Sequence, residues 1–107
     1  MNKKPTFDFT DRKHVYFIGI GGINMSAIAH VLLARGFSVS GSDSHASALT
    51  DELEEMGATI YVGQRADNVK DDVDAIVYTA AISPDNPEMV RAGELGVPPF
   101  TRAEFLG

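Results

Sequence analysis

A chain of 107 residues, 44% hydrophobic and 22% charged, has the make-up of one folded domain; it is too short for two and too apolar for a disordered chain. It contains no Cys, which excludes a disulfide framework and a thiolate metal site. Nine Lys and Arg against 15 Asp and Glu leave a net charge of −6, so bulk charge will not grip a nucleic-acid backbone, and any anionic ligand must be held by local geometry.

Residues 1–13 are polar and aperiodic and read as a mobile lead-in. Val15-Tyr16-Phe17-Ile18 is a continuous β-branched and aromatic run, the pattern of a strand buried on both faces. Gly19, Gly21 and Gly22 follow at once. Met25, Ile28, Ala29 and Leu32 then recur at helical spacing, with Ile23, Ala27 and Val31 expected to widen the apolar face. Gly36 stands where a left-handed residue would end that helix. Phe37-Ser38-Val39-Ser40 predicts a second, less apolar strand. Leu49, Leu53 and Met56 predict a second helix that stops at Gly57, and Thr59-Ile60-Tyr61-Val62 a third strand. Ala75-Ile76-Val77-Tyr78 predicts a fourth strand.

Asn86-Pro87-Glu88 is a helix start: Asn caps, Pro takes the first helical position, and an acid sits in the first turn. That helix should end near Gly96. Val97 begins a short fifth strand or extended piece that Pro98-Pro99 should break, and residues 102–106 open another helix. Strands alternating with helices require a parallel sheet and right-handed crossovers. The expected fold is therefore α/β: a single domain built on a Rossmann-like, doubly wound parallel sheet. The final helix stub has no evident use in an independent domain, so the ending reads as truncation at a domain boundary.

Gly19-Ile20-Gly21-Gly22-Ile23-Asn24-Met25-Ser26 joins the first strand to the first helix. In such a turn the first Gly makes the bend and the second lets backbone approach a phosphate. The helix start offers free N–H groups and partial positive charge, which lets even an acidic domain hold a diphosphate. Ser26 offers a hydroxyl donor. Asn24 replaces the third Gly of G-x-G-x-x-G. Its side chain should hold the helix slightly off the sheet, or else contact a phosphate itself. Asp43 lies 19 positions after Asn24, where an acid beyond the second strand can bond ribose hydroxyls. Thr79-Ala80-Ala81 leaves the fourth strand at the same edge, with room for a flat ring or sugar. His14, His30 and His45 are scattered and read as structural or exposed. Acids at 51–55 read as a solvated helix face, and Asp71, Asp72 and Asp74 as loop acids. No spacing suggests a metal site, a nucleophile triad or a G-x-x-x-x-G-K-[ST] loop.

The run from His14 to Ala29 strongly resembles the opening of the UDP-N-acetylmuramate–L-alanine ligases of the Mur ligase family. Val39-Ser40-Gly41-Ser42-Asp43, Ala80-Ala81-Ile82-Ser83-Pro84-Asp85-Asn86-Pro87-Glu88 and Arg102-Ala103-Glu104 agree in order and spacing. The resemblance implies three domains in the whole enzyme, of which residues 14–107 are the N-terminal one, inactive alone and without catalytic residues or metal ligands. It implies a partner in UDP-N-acetylmuramate, contact with the remaining domains, a cytoplasmic place in peptidoglycan synthesis, and ATP and Mg2+ as cofactors of the whole ligase. By position, Gly19, Gly21, Gly22, Ile23, Asn24, Met25 and Ser26 would hold the diphosphate, and Asp43, Thr79, Ala80 and Ala81 would border the uridine. Two positions depart from the family: Asn24, usually Gly, and Gln64, in a segment where His is frequent. The glycine turn and Asp43 also fit an NAD-binding domain of an oxidoreductase, and the turn a nucleotide-sensing regulatory domain. The segment from Ala80 to Glu88 counts against both.

Overall fold

The first strand, β1 (His14–Ile18), buries every residue from Val15 to Ile18. Val15 and Phe17 face one layer of core, Tyr16 and Ile18 the other, as a central parallel strand requires. The computed structural model describes residues 13–106, so the expected lead-in falls almost wholly outside the described residues. After β1 come α1 (Ile23–Ala34), β2 (Ser38–Asp43), α2 (Ala48–Glu55), β3 (Thr59–Val62), a 3-10 turn (Ala66–Asn68), β4 (Ala75–Tyr78), α3 (Pro87–Leu95), β5 (Pro99–Thr101) and α4 (Arg102–Leu106). The five strands are all parallel, in the order β3-β2-β1-β4-β5. Helices α1, α2 and α4 cover one face through Ala29, Leu32, Leu53 and Phe105. The opposite face is covered by Ala92 of α3 with Val69, Val73 and Val97. This is the doubly wound, Rossmann-like fold that the alternation predicts, with its switch point between β1 and β4.

Helices α1, α2 and α3 give way to glycines of positive φ, as their sequences predict: Gly36 at 87°, Gly57 at 109° and Gly96 at 72°. Asn86 caps α3, its Oδ1 accepting from the Glu88 N–H at 2.9 Å. Ser47 and Thr50 form a reciprocal capping box on α2.

Four expectations are corrected. The inner stripe of α1 is Met25, Ser26, Ala29 and Leu32, with Ile28 and Leu33 packed partly buried at its margins; Ile23, Ala27 and Val31 point outward, and Ile23 is 81% exposed. A sheet covers only one stripe of a helix, and α1 needs nothing wider. Strand β2 begins at Ser38, after Phe37, and continues past Ser40 to Asp43, because small residues there let it lie against β1: a Cβ on Gly41 would sit 2.6 Å from the Phe17 carbonyl oxygen. Strand β5 begins at Pro99 instead of breaking there; it is an edge strand, where a missing N–H does little harm. Helix α4 is more than a stub. Phe105 is buried and meets Phe17 and Phe100 edge-on, with ring centroids 6.5 Å and 6.0 Å apart.

Candidate functional site

The glycine turn is pinned from beneath. The N–H groups of Gly19 and Ile20 both donate to the Ser42 carbonyl oxygen, at 2.8 Å and 2.9 Å. Gly19 takes a φ of +83°, and the Gly22 N–H donates back to the Gly19 oxygen at 3.1 Å. Helix α1 then opens at Ile23 with no side-chain cap and no acid in its first turn. The N–H groups of Ile23, Asn24 and Met25 therefore lead the helix at the carboxyl end of β1, a ready anion site.

Asp43 joins this turn. Its Oδ2 accepts from the Gly21 N–H at 2.9 Å, and its Oδ1 from the His45 N–H at 3.3 Å. A Cβ on Gly21 would stand 2.8 Å from that Oδ2, so the close approach at the second glycine is made by the Asp43 carboxylate. Ser26 is turned inward; its hydroxyl donates to the Ile23 oxygen at 3.0 Å, which spends the expected donor inside the helix. Asn24 is exposed and stands clear of the sheet, so it does not hold the helix off. The helix contact is made instead by Met25, Ser26 and Ala29, the last two small enough for close packing. On the neighbouring strand, Val77 pairs with Phe17, so Thr79 leaves the sheet level with Gly19. Thr79 is half-buried, and Ala80 and Ala81 are exposed.

A buried cluster that no local sequence pattern marks lies under the same edge. Glu88, fully buried in the first turn of α3, accepts four hydrogen bonds. Ser42 Oγ donates to its Oε1 at 2.6 Å; the Tyr16 hydroxyl, Asn68 Nδ2 and the Arg65 N–H donate to its Oε2 at 2.8, 2.9 and 3.1 Å. Among the described residues no cationic side chain pairs with it. Asn86 adds a strut, its Nδ2 donating to Gln64 Oε1 at 2.6 Å. The Asn-Pro-Glu signal marks a helix start but does not say whether the acid faces solvent or core. The polar alternation of Ser40 and Ser42 in β2 was the available hint.

Burial pushes the Tyr16 phenol far above its ordinary value of 10.0, so it stays a donor where a free phenol ionises. The unfolded chain then binds fewer protons than the folded one once pH passes about 10, and stability falls from there upward. The expected result is a thermal midpoint that drops above that pH, with a shallower drop in Tyr16→Phe; parallel curves would refute the assignment.

The histidines are structural or exposed, as expected. His14 Nε2 lies 2.7 Å from Ser40 Oγ, and His30 Nε2 lies 3.2 Å from Glu52.

The model of the family described as "Mur ligase family, catalytic domain" matches residues 14–107. The chain belongs to the Mur ligase family. It is 60% identical over 100 residues to the UDP-N-acetylmuramate–L-alanine ligase of Lachnospira eligens, covering 94% of this chain and 22% of that protein. Among solved structures it is similar to the UDP-N-acetylmuramate-alanine ligase of Thermotoga maritima, at 40% identity and a TM-score of 0.79, over 84% of this chain and 21% of that one. It is also similar to the UDP-N-acetylmuramate:L-alanyl-gamma-D-glutamyl-meso-diaminopimelate ligase of Neisseria meningitides, at 28% identity and a TM-score of 0.75, over 85% and 29%. The chain thus spans about a fifth of the curated Mur ligases it matches, 22% in the Lachnospira protein. Among the described residues of this Mur ligase chain, no helix is long and apolar enough to cross a membrane.

Proposed function

We propose that this chain is the N-terminal part of a UDP-N-acetylmuramate–L-alanine ligase and holds UDP-N-acetylmuramate for it. The observation that carries the reading is the uncapped start of α1 at the carboxyl end of β1. The diphosphate lies against the N–H groups of Ile23, Asn24 and Met25, with Gly19, Gly21 and Gly22 shaping the turn. Ser26 supports the turn through its bond to Ile23 rather than by touching phosphate. The uridine lies toward Asp43 and the Thr79-Ala80-Ala81 segment. Asp43 borders it while bracing Gly21, since a carboxylate oxygen has more than one lone pair.

The chain binds and orients; it does not catalyse. In the whole ligase, ATP would supply the driving force for joining the muramoyl carboxylate to the L-alanine amine, with ADP and phosphate released. The present residues do not suit ATP or Mg2+: the sequence has no G-x-x-x-x-G-K-[ST] loop, and among the described residues no group of three His, Asp or Glu is placed to hold a metal ion. That chemistry belongs to the rest of the ligase, and the natural setting is the cytoplasm, where the nucleotide precursor is used.

The expected result is that UDP-N-acetylmuramate shifts the amide NMR signals of residues 21–26 and of Asp43, while NAD at equal concentration leaves them in place. Tighter binding of NAD would sink this reading.

A further inference from the structure

Glu88 occupies a position that the binding site itself does not explain. A carboxylate with no exposed surface and no cationic partner among the described residues is costly to bury unless donors meet both its oxygens. Here four donors from three other segments converge on it in the first turn of α3: Tyr16 in β1, Ser42 in β2, and Arg65 and Asn68 on the connection from β3 to β4. Two of these donors, the Arg65 N–H and Asn68 Nδ2, have no acceptor capacity; Asn68 Nδ2 gives one hydrogen to the Gly63 oxygen at 3.0 Å, and its second hydrogen and the Arg65 N–H call for an acceptor at position 88. An apolar residue of similar size would fill the space and leave the donors stranded.

The segments joined are those whose ends form the proposed nucleotide edge. Ser42 is the link. Its side chain donates to Glu88, and its carbonyl oxygen receives the N–H groups of Gly19 and Ile20. The start of the glycine turn is therefore two bonds from Glu88, through one residue. On the other side, Glu88 stands two positions beyond the segment at 79–86, and its own N–H is fixed by Asn86, which is in turn tied to Gln64. Gln64, one of the two departures from the family pattern, thus stands as a strut of this cluster.

We infer that Glu88 is a positioning residue for the nucleotide site, acting through Ser42 on the glycine turn and through the start of α3 on the segment at 79–86. The inference rests on the reading of that edge as a UDP-sugar site, but its effect on the turn is observable without ligand.

The test compares native chain, Glu88→Gln, Ser42→Ala and Ala92→Gly. Glu88→Gln keeps the shape and halves the acceptor capacity. Ser42→Ala cuts the link to the turn should Glu88→Gln fail to fold. Ala92→Gly loosens α3 against the same core layer without removing any of the hydrogen bonds to Glu88. Hydrogen exchange reads the turn directly. The Gly19 and Ile20 amides should exchange about tenfold faster in Glu88→Gln and Ser42→Ala, relative to the Ile76 amide between β4 and β5, and not in Ala92→Gly. UDP-N-acetylmuramate affinity by calorimetry should fall about tenfold in the same two variants and hold in Ala92→Gly. If the folded variants keep native exchange ratios at Gly19 and Ile20, or if Ala92→Gly matches them in both readouts, Glu88 is structural only and the inference is overturned. If the native chain binds no UDP-N-acetylmuramate, the reading of the site falls, and the exchange ratios still decide whether Glu88 sets the turn.

Discussion

Gly41→Ala is expected to destabilise the domain by about 3 kcal/mol, a large share of the 5–15 kcal/mol that typically holds a domain together. The reason is backbone against backbone. The new Cβ would lie 2.6 Å from the Phe17 carbonyl oxygen and 2.8 Å from Ile20 Cβ. Phe17 and Gly41 are partners in the β1–β2 register, and β1 is the central strand, so neither side can give way cheaply. Relief would require β2 to move, and with it the Ser42 carbonyl that holds the glycine turn. Thermal melting should show a fall of roughly 10–20 °C for a domain of this size. Gly22→Ala is the control. Gly22 has φ −63°, and its added Cβ would find nothing nearer than 3.5 Å, so that variant should melt within a few degrees of the native chain. A Gly41→Ala midpoint as close to native as that of Gly22→Ala would refute the argument.

Gly41 also shows what a sequence does and does not disclose. The strand–helix alternation is legible because buried parallel strands and helix ends carry strong local signals: the run from Val15 to Ile18, the Asn-Pro-Glu start, and the glycines at 36, 57 and 96. The glycine turn is legible for the same reason. Gly41 is not, because its requirement comes from Phe17 and Ile20, more than twenty positions away in the chain. The same holds for Glu88. Its first-turn place on α3 can be read from neighbours, but its burial depends on Tyr16, Ser42 and Asn68 arriving from three other segments. Ile23, Ala27 and Val31 fail in the opposite direction: their spacing matches a helix face, yet the sheet reaches only the stripe beside it. Local pattern fixes the element, and tertiary contact decides which of its residues are used.

Asn24→Asp should move stability and ligand binding in opposite directions. Position 24 is exposed, in the first turn of a helix that has neither a side-chain cap nor an acid there. A carboxylate placed on it meets the positive end of the helix and should stabilise the free domain by about 0.3–1 kcal/mol. The same carboxylate then occupies the field in which the proposed function places the diphosphate. Two like charges about 6 Å apart, at an effective dielectric of roughly 20–80, repel by about 1–3 kcal/mol, which lowers UDP-N-acetylmuramate affinity roughly five- to a hundredfold. Because the site is open to solvent, added salt should shrink the difference between variant and native chain. Asn24→Gly separates charge from shape. The Asn24 side chain stands in solvent and not against the sheet, so its removal should change affinity by less than about twofold. Calorimetric titration with the nucleotide sugar and a melting curve for each variant give both quantities. An Asn24→Asp chain that binds as tightly as the native one would place the diphosphate away from the start of α1, and the proposed function would lose the observation that carries it.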